Sequence, residues 1–301
     1  MSLLVTGSIG IDNVITPHGQ VEEVLGGSSV YFSFAATQYT PVRFVGVVGE
    51  DFPPAFRDLL VSPEIDLSGL EVRKGSKTFR WSGKYVGDMA QAETVDIELN
   101  VLAEAAPKVP AAFTDSDVVF LANTHPTLQR EMLAQVAAPK LTVCDTIDLW
   151  INNERASLIE TLKAVNGVII NDAEARMLTG SSNLVTAGKG ILELGPNFTV
   201  IKKGEHGALL VTTDGVTVVP AYPTENVKDP TGAGDSFAGG MLGYLAAGGR
   251  FDTASLRRAL VRGTVSASFA IEDFSLRRVM NVTREEIDVR VAELLDMLRI
   301  E

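Results

Sequence analysis

Short apolar segments alternate with longer amphipathic ones along most of the chain. Continuous apolar runs rich in β-branched residues indicate strands buried on both faces, and the amphipathic segments indicate helices. Strands are predicted at residues 4–8, 43–47, 118–121, 141–145, 168–170 and 199–202, and helices at residues 28–38, 127–136, 154–164, 172–178, 185–194, 236–247, 253–272 and 283–299. A turn at Asp214 and Gly215 predicts an antiparallel hairpin at one edge. The pattern therefore predicts an α/β fold with a mostly parallel central sheet flanked by helices.

Two stretches depart from this alternation, at residues 15–25 and 70–99. Both alternate polar and apolar residues with a period of two, which predicts strands with one solvated face. We expect these stretches to form a small β-sheet lid, set against a main domain made of residues 1–14, 26–69 and 100–301. A surface appendage without a function is the alternative interpretation of the same pattern.

Composition narrows the classes of function. The 301 residues are 46% hydrophobic and 21% charged, which is typical of a globular protein. The net charge of −12 comes from interspersed acids and bases, so nucleic acid and anionic membrane are not expected partners. The histidines lack metal-ligand spacing, and the single cysteine, Cys144, lies in an apolar run. With no signal-peptide pattern at the start, we expect a cytoplasmic protein.

The segment DPTGAGDSFAGG, residues 229–240, is the strongest candidate for chemistry. The small residues Gly232, Ala233 and Gly234 allow a ligand to approach the main chain, and successive amides at a helix N-terminus bind anions such as a phosphoryl group. Asp235 follows directly, where it could accept a proton from an attacking hydroxyl group. Helix capping is the alternative role of this carboxylate.

This segment resembles the C-terminal signature of the ribokinase and PfkB-type carbohydrate kinase family, DTxGAGD, with Pro230 as the departure. Other segments resemble that family in the same order, namely GSIGIDN, LGGSSVYFSFAA, VGVVGED, NDAEARMLTG and IKKGEHGALL. Together they span nearly the whole chain. The resemblance implies a ribokinase-like fold and an ATP-dependent kinase in which Asp235 is the catalytic base.

The same resemblance implies an acceptor site near the N-terminus. It assigns Asp12 to the recognition of substrate hydroxyl groups, and Gly26 and Gly27 to admitting the substrate. Tyr31 stands where the family usually has an asparagine, which leaves the class of substrate open. On the lid, Arg80 and its neighbour Trp81 could contact the substrate or a phosphate, or could serve only to pack the lid.

On the nucleotide side, NDAEARMLTG resembles the family's NxxE motif, which assigns Asn171 to the nucleotide and Glu174 to a Mg²⁺ ion held through water. Helix capping by both residues is the alternative. In IKKGEHGALL, Gly204 and Gly207 match the nucleotide-binding turn, and Lys202 replaces a threonine, where its charge could reach the triphosphate.

Asp229 and Thr231 correspond to positions that often help to hold a monovalent cation such as K⁺ in this family. The expected reaction is transfer of the γ-phosphoryl group of MgATP to a hydroxymethyl group of a sugar. A nucleoside kinase acting on the ribose 5′-hydroxyl is the first alternative, and a nucleotide-binding sensor without catalysis is a remoter one. A monomer or a homodimer formed through the lid is expected.

Overall fold

The computed structural model describes residues 1–299; the last two residues of the predicted main domain, 300 and 301, lie outside this range. Within it, the strands are β1 (Leu3–Thr6), β2 (Gly10–Thr16), β3 (Gly19–Gly26), β4 (Val42–Gly49), β5 (Ile65–Arg73), β6 (Phe79–Tyr85), β7 (Ala92–Glu98), β8 (Val118–Leu121), β9 (Leu141–Cys144), β10 (Gly167–Asn171), β11 (Phe198–Lys202), β12 (Ala208–Thr212) and β13 (Gly215–Val219). The α-helices are α1 (Ser28–Ala36), α2 (Pro54–Leu60), α3 (Pro126–Leu133), α4 (Asp148–Asn153), α5 (Arg155–Ala164), α6 (Asp172–Thr179), α7 (Leu184–Leu192), α8 (Ala233–Gly248), α9 (Thr253–Ala270) and α10 (Arg284–Met297).

Nine strands form a large sheet in the order β13-β12-β11-β10-β9-β8-β1-β4-β5. From β11 to β5 every neighbouring pair is parallel, and β12 and β13 continue the sheet as an antiparallel hairpin. This arrangement confirms the predicted α/β fold with a mostly parallel central sheet. A second sheet, β3-β2-β6-β7, is called the small sheet below.

The large sheet is buried on both faces, because successive side chains of each strand enter two different apolar clusters. In β1, Val5 belongs to a cluster with residues of α1, α8 and α9, whereas Leu4 belongs to a cluster with residues of α5, α6 and α7. The continuous apolar runs in the sequence follow from this burial. The carboxyl ends of the parallel strands therefore open at one edge, where ligands bind in such sheets.

Glycines bring α8 close to α1. A Cβ atom added at Gly239 would lie 2.2 Å from the carbonyl oxygen of Phe32, and one added at Gly243 would lie 2.9 Å from that of Ala36. The apolar, glycine-rich run from residue 237 onward is thus a packed helix. Its close contact with α1 fixes the position of the N-terminus of α8, at which the signature segment lies.

Two strands differ from the predicted boundaries of the lid. The first strand of the small sheet begins at Gly10 and not at residue 15, so Asp12 lies on the small sheet. The alternating pattern was absent there because β2 is buried on both faces at this point. Conversely, β5 pairs with β4 in the large sheet, although residues 70–73 were assigned to the lid. As an edge strand it is half exposed, which produced the misleading period of two.

The hairpin turn lies one residue earlier than predicted. Thr212 pairs with Gly215, so the two turn residues are Thr213 and Asp214. The hydroxyl group of Thr212 accepts a hydrogen bond from the amide of Asp214 at 3.2 Å.

None of the helices within residues 1–299 has the length and apolar character needed to cross a bilayer.

Candidate active site

The loop before α8 ends in a tight bend at Gly232, and the helix begins at Ala233, three residues earlier than predicted. Gly232 has a φ of 74°, a left-handed conformation that is costly for residues with a side chain. A Cβ atom added there would lie 2.3 Å from the ring of Tyr31, which is fully buried. Both the backbone angle and the ring beneath it therefore require glycine at this position.

The N-terminus of α8 presents free amides. The amide of Ala233, one of three predicted to bind a phosphoryl group, already donates a hydrogen bond to the carbonyl oxygen of Pro230 at 3.1 Å. Within residues 1–299, the amides of Gly234 and Asp235 donate to no other residue, and that of Asp235 faces its own carboxylate. Free amides at the positive end of a helix attract anions. The amides available for a phosphoryl group thus include those of Gly234 and Asp235, whereas that of Ala233 is occupied.

Asp235 occupies the third position of α8 and is partly exposed. Burial raises the pKa of its carboxyl group to about 6, and the nearby ammonium group of Lys202 opposes this rise. With this pKa the group is largely ionised at neutral pH, so it can accept a proton. Gly232 at the N-cap offers no side chain to the helix end, and no side-chain cap hydrogen bond forms there.

Lys202, the last residue of β11, reaches the same helix end. Its ammonium nitrogen lies 2.6 Å from the position that a Cβ atom of Gly234 would occupy. The structure thus brings together the predicted base, the free amides and a positive charge. Gly234 is small for a second reason beyond ligand approach, since any side chain there would displace this ammonium group.

For the kinase activity that the sequence motifs predict, replacing Lys202 by methionine is expected to lower kcat/KM for ATP by about 10²-fold, as is usual when one group that stabilises a transferring anion is removed. Methionine keeps an unbranched side chain but removes the charge beside Gly234. Steady-state kinetics with ATP varied at saturating acceptor would measure the loss. Lys203→Met, one residue further along, is the matched control and should retain the parent value. Equal losses in both variants would show that the position of the charge is unimportant.

Asn171 and Glu174 form a reciprocal capping box at the start of α6. The amide of Glu174 donates to the side-chain oxygen of Asn171 at 2.8 Å, and the amide of Asn171 donates to the Glu174 carboxylate at 2.7 Å. Their capping role is therefore confirmed, and their roles toward nucleotide and Mg²⁺ remain predictions. Burial raises the pKa of Glu174 to about 7, with Lys202 acting in the opposite direction.

The sequence analysis missed Asp145, a buried carboxylate directly after β9. Its Oδ1 atom has no hydrogen-bond partner within residues 1–299. Burial raises its pKa well above the ordinary value; the charges of Asp235 and Glu174 add to the rise, and that of Lys202 opposes it. Asp145 thus belongs to the same group of charges. The available signal was an acidic residue directly after an apolar strand, a place comparable to that of Asn171 at the end of β10.

The arrangement of acids bears on metal binding. No three His, Cys, Asp or Glu side chains within residues 1–299 are grouped so as to hold a metal ion by themselves. Asp145 and Glu174 nevertheless offer two carboxylates beside Lys202. A hard divalent cation such as Mg²⁺ fits two carboxylates when phosphate oxygens and water supply its other ligands. These residues therefore fit a metal that arrives with a nucleotide.

Asp12, on β2, forms the opposite side of the site and is buried. A Cβ atom added at Gly26 would lie 1.8 Å from its carboxylate, so Gly26 is needed to accommodate Asp12 itself. Burial, followed by the charges of Asp229 and Asp235, raises the pKa of Asp12 to about 8. Its Oδ1 atom has no partner within residues 1–299. Such a buried, unsatisfied group is suited to binding hydroxyl groups.

Gly27 also has a structural reason to be small. Its φ is 105°, and an added Cβ atom would lie 2.4 Å from the carbonyl oxygen of Ser8. The glycine pair therefore shapes the backbone between β3 and α1. Contact of Gly26 and Gly27 with an acceptor substrate remains a prediction.

The two other residues predicted to bind substrate are already engaged within the chain. Tyr31 packs its ring against Gly232. Arg80, about one third exposed, pairs with Glu23 at 3.3 Å and with Asp51 at 3.6 Å. Their contact with a substrate remains a prediction.

The residues predicted to bind a monovalent cation also have partners. The carboxylate of Asp229 accepts hydrogen bonds from the amides of Thr231, at 2.9 Å, and Ser275, at 3.1 Å. The hydroxyl group of Thr231 lies 3.3 Å from that of Tyr85. These contacts hold the loop before Gly232, and the cation remains a prediction.

The predicted nucleotide-binding turn follows β11. Both glycines have positive φ angles, 53° for Gly204 and 80° for Gly207. Around Gly204 the space is open, whereas a Cβ atom at Gly207 would lie 2.1 Å from the carbonyl oxygen of Val219. Gly207 therefore shapes the turn, and Gly204 is the glycine beside which a ligand has room.

Known proteins resemble this chain in sequence or in fold. The chain is 30% identical to the cytidine kinase of Thermococcus kodakarensis over 250 residues, which cover 81% of this chain and 88% of that protein. The nucleoside kinase of Burkholderia thailandensis in complex with inosine superposes with a TM-score of 0.77 at 22% identity, covering 98% and 99% of the two chains. The aminoimidazole riboside kinase of Salmonella enterica, complexed with its riboside and an ATP analogue, gives 0.73 at 18% identity, covering 97% and 100%.

These relatives and the site define the class of protein: an ATP-dependent kinase that acts on an alcohol group of a sugar or a nucleoside. A family model described as pfkB family carbohydrate kinase matches residues 5–282, nearly the whole chain. The chain belongs to this family, as its sequence motifs predicted.

Proposed function

We propose that this protein is a nucleoside kinase that transfers the γ-phosphoryl group of MgATP to the 5′-hydroxyl group of a ribonucleoside. The observation that carries the proposal is the similarity to a cytidine kinase over 81% of the chain. The sequence patterns had placed a sugar first and a nucleoside second. The similarity to a cytidine kinase supports the nucleoside.

Asp12 supports a ribose as the acceptor ring. With a pKa of about 8, its carboxyl group keeps its proton at neutral pH and can both donate and accept a hydrogen bond. Two neighbouring hydroxyl groups, as on ribose, offer a donor and an acceptor to match. Binding at Asp12 would orient the ring so that its hydroxymethyl group faces Asp235.

The mechanism follows from the groups around Gly232. Asp235 accepts the proton of the 5′-hydroxyl group as its oxygen bonds to phosphorus. The amides of Gly234 and Asp235 and the ammonium group of Lys202 stabilise the charge on the transferring phosphoryl oxygens. Asp145 and Glu174 would hold Mg²⁺, which neutralises charge on the leaving diphosphate when it is bound.

We also propose that the small sheet is a lid that excludes water from this site, because water would otherwise compete for the phosphoryl group. Its residues are those of β2, β3, β6 and β7, which amends the predicted segments 15–25 and 70–99. A cytoplasmic location and a monomer or homodimer remain part of the proposal.

A substrate panel tests the function. The panel comprises cytidine, uridine, adenosine, inosine and guanosine beside free ribose, fructose and inositol, with ADP release measured and products identified by mass spectrometry. We expect at least one ribonucleoside to exceed free ribose in kcat/KM by about 10²-fold or more, because the base contributes binding energy. The matching 5′-deoxynucleoside should bind without being phosphorylated. A free sugar as the best acceptor would refute the nucleoside proposal and leave a sugar kinase.

A further inference from the structure

A hydrogen bond links the small sheet directly to the loop that precedes the Gly232 bend. Tyr85, the last residue of β6, is buried, and its hydroxyl group lies 3.3 Å from the hydroxyl group of Thr231. Burial raises the pKa of Tyr85 to about 12, and Asp229, Asp12 and Asp235 add to the rise. The phenol therefore keeps its proton at neutral pH, and its oxygen accepts a hydrogen bond from the hydroxyl group of Thr231.

This contact is one end of a chain of hydrogen bonds. The amide of Thr231 and that of Ser275 each donate to Asp229, one to each carboxylate oxygen, at 2.9 and 3.1 Å. The hydroxyl group of Ser275 donates to the carbonyl oxygen of Leu25 at 3.1 Å. Leu25 lies on β3, next to Gly26. This series of hydrogen bonds thus begins on one strand of the small sheet, passes through the loop before α8, and ends on another strand of the small sheet.

Apolar contacts run parallel to these hydrogen bonds. Tyr85, Val14 and Val21 of the small sheet form one buried cluster with Phe274, which directly precedes Ser275. The ring of Tyr85 therefore docks the small sheet on the main body, and its hydroxyl group reaches one step further, to Thr231. A variant that keeps the ring and loses the hydroxyl group separates these two contributions.

We propose that Tyr85 is a positioning residue for phosphoryl transfer: its hydroxyl group holds Thr231, so that the Gly232 bend is fixed in its reactive geometry when the small sheet covers the acceptor. Through this contact, the geometry of the amides that bind the phosphoryl group depends on whether the small sheet covers the acceptor. An open site would have a less ordered bend and would transfer the phosphoryl group to water less readily. The inference rests on the kinase activity of this site and not on which acceptor it uses.

Tyr85→Phe tests the proposal. With the best acceptor of the panel, we expect kcat to fall about tenfold, the value of one hydrogen bond of about 1.4 kcal/mol, while the acceptor KM stays near that of the parent. The ratio of orthophosphate released to acceptor phosphorylated should rise, because transfer to the acceptor in the closed site loses the contact, whereas the slow hydrolysis in the open site never used it. Both products are measured in the same reaction.

Two further variants make the outcome decisive. Thr231→Val removes the same hydrogen bond from the other side, so the double variant should lose no more than either single one. Thr94→Val is the matched control, since the hydroxyl group of Thr94 binds Trp81 within the small sheet and has no link to the loop. It should match the parent in kcat and in the product ratio.

Three results would overturn the proposal. Parent values for Tyr85→Phe would show that the hydroxyl group is dispensable, and a lower kcat at an unchanged product ratio would indicate only a smaller active fraction. An increase in acceptor KM alone would make Tyr85 a substrate contact. The kcat, KM and product ratio of each variant are compared with those of the parent enzyme, with an acceptor that the parent phosphorylates. A failure of the nucleoside proposal would appear separately, in the substrate panel measured with the parent enzyme.

Discussion

Asp235→Asn is expected to lower kcat by about 10²–10⁴-fold, the range of a general base, while ATP binding is kept. Asparagine has nearly the same shape and leaves the amides of Gly234 and residue 235 free at the start of α8. It cannot accept a proton at neutral pH, whereas the carboxyl group of Asp235, with a pKa of about 6, can. Single-turnover kinetics would report the chemical step, and calorimetric titration with ATP would report binding.

A second variant separates proton acceptance from the general effect of an acid at a helix end. Glu285 lies in the first turn of α10, exposed and far along the chain from the signature segment. Glu285→Gln removes a first-turn carboxylate, which costs about 0.3–1 kcal/mol of helix stability at most surface sites and should leave kcat unchanged. If Asp235→Asn had the kcat of the parent, Asp235 would be no more than such a helix-end acid.

The large sheet was predictable because its strands are buried on both faces. Continuous apolar runs such as LTVC have no other common explanation when helical segments separate them. The signature segment was predictable from its own residues, because the left-handed backbone at Gly232 is a local constraint that glycine meets. The room that Gly234 leaves for Lys202 is a contact with a distant segment.

The small sheet was less predictable because its strands meet different surroundings along their length. The part of β2 around Asp12 is buried on both faces, so its pattern resembles a strand of the large sheet. The edge strand β5 of the large sheet has one solvent-exposed face, so its pattern of polar and apolar residues resembles that of the small-sheet strands. Local periodicity reports burial and does not report which sheet a strand joins.

Within the site, contacts between distant segments were beyond the reach of the sequence. The amide of Ala233 closes a turn with Pro230 only because α8 begins at Ala233. That Tyr31 supports Gly232 depends on the packing of α1 against α8. Asp145 carried a local signal, but its proximity to Lys202 and Asp235 depends on the order of β9, β10 and β11 in the sheet.

Gly232→Ala is expected to lower kcat by about 10²–10³-fold, the usual loss when donors to a developing oxyanion move out of place. Two physical causes act together. The left-handed φ of 74° costs a residue with a side chain about 1–2 kcal/mol. In addition, the new Cβ atom would lie 2.3 Å from the ring of Tyr31, which is fully buried in the core and cannot move aside. The bend must shift, and the amides of Gly234 and Asp235 shift with it.

Gly75→Ala separates the two causes, because Gly75 has a φ of 78° and nothing within 4 Å of an added Cβ atom. It carries the same backbone cost without the collision, so its effect should be confined to a small loss of thermal stability. Combining Gly232→Ala with Tyr31→Leu removes most of the collision and should recover part of kcat, even though the Leu substitution alone leaves a cavity that lowers stability. Parent kcat in Gly232→Ala, or a double variant no better than the single one, would show that the bend does not position the amides.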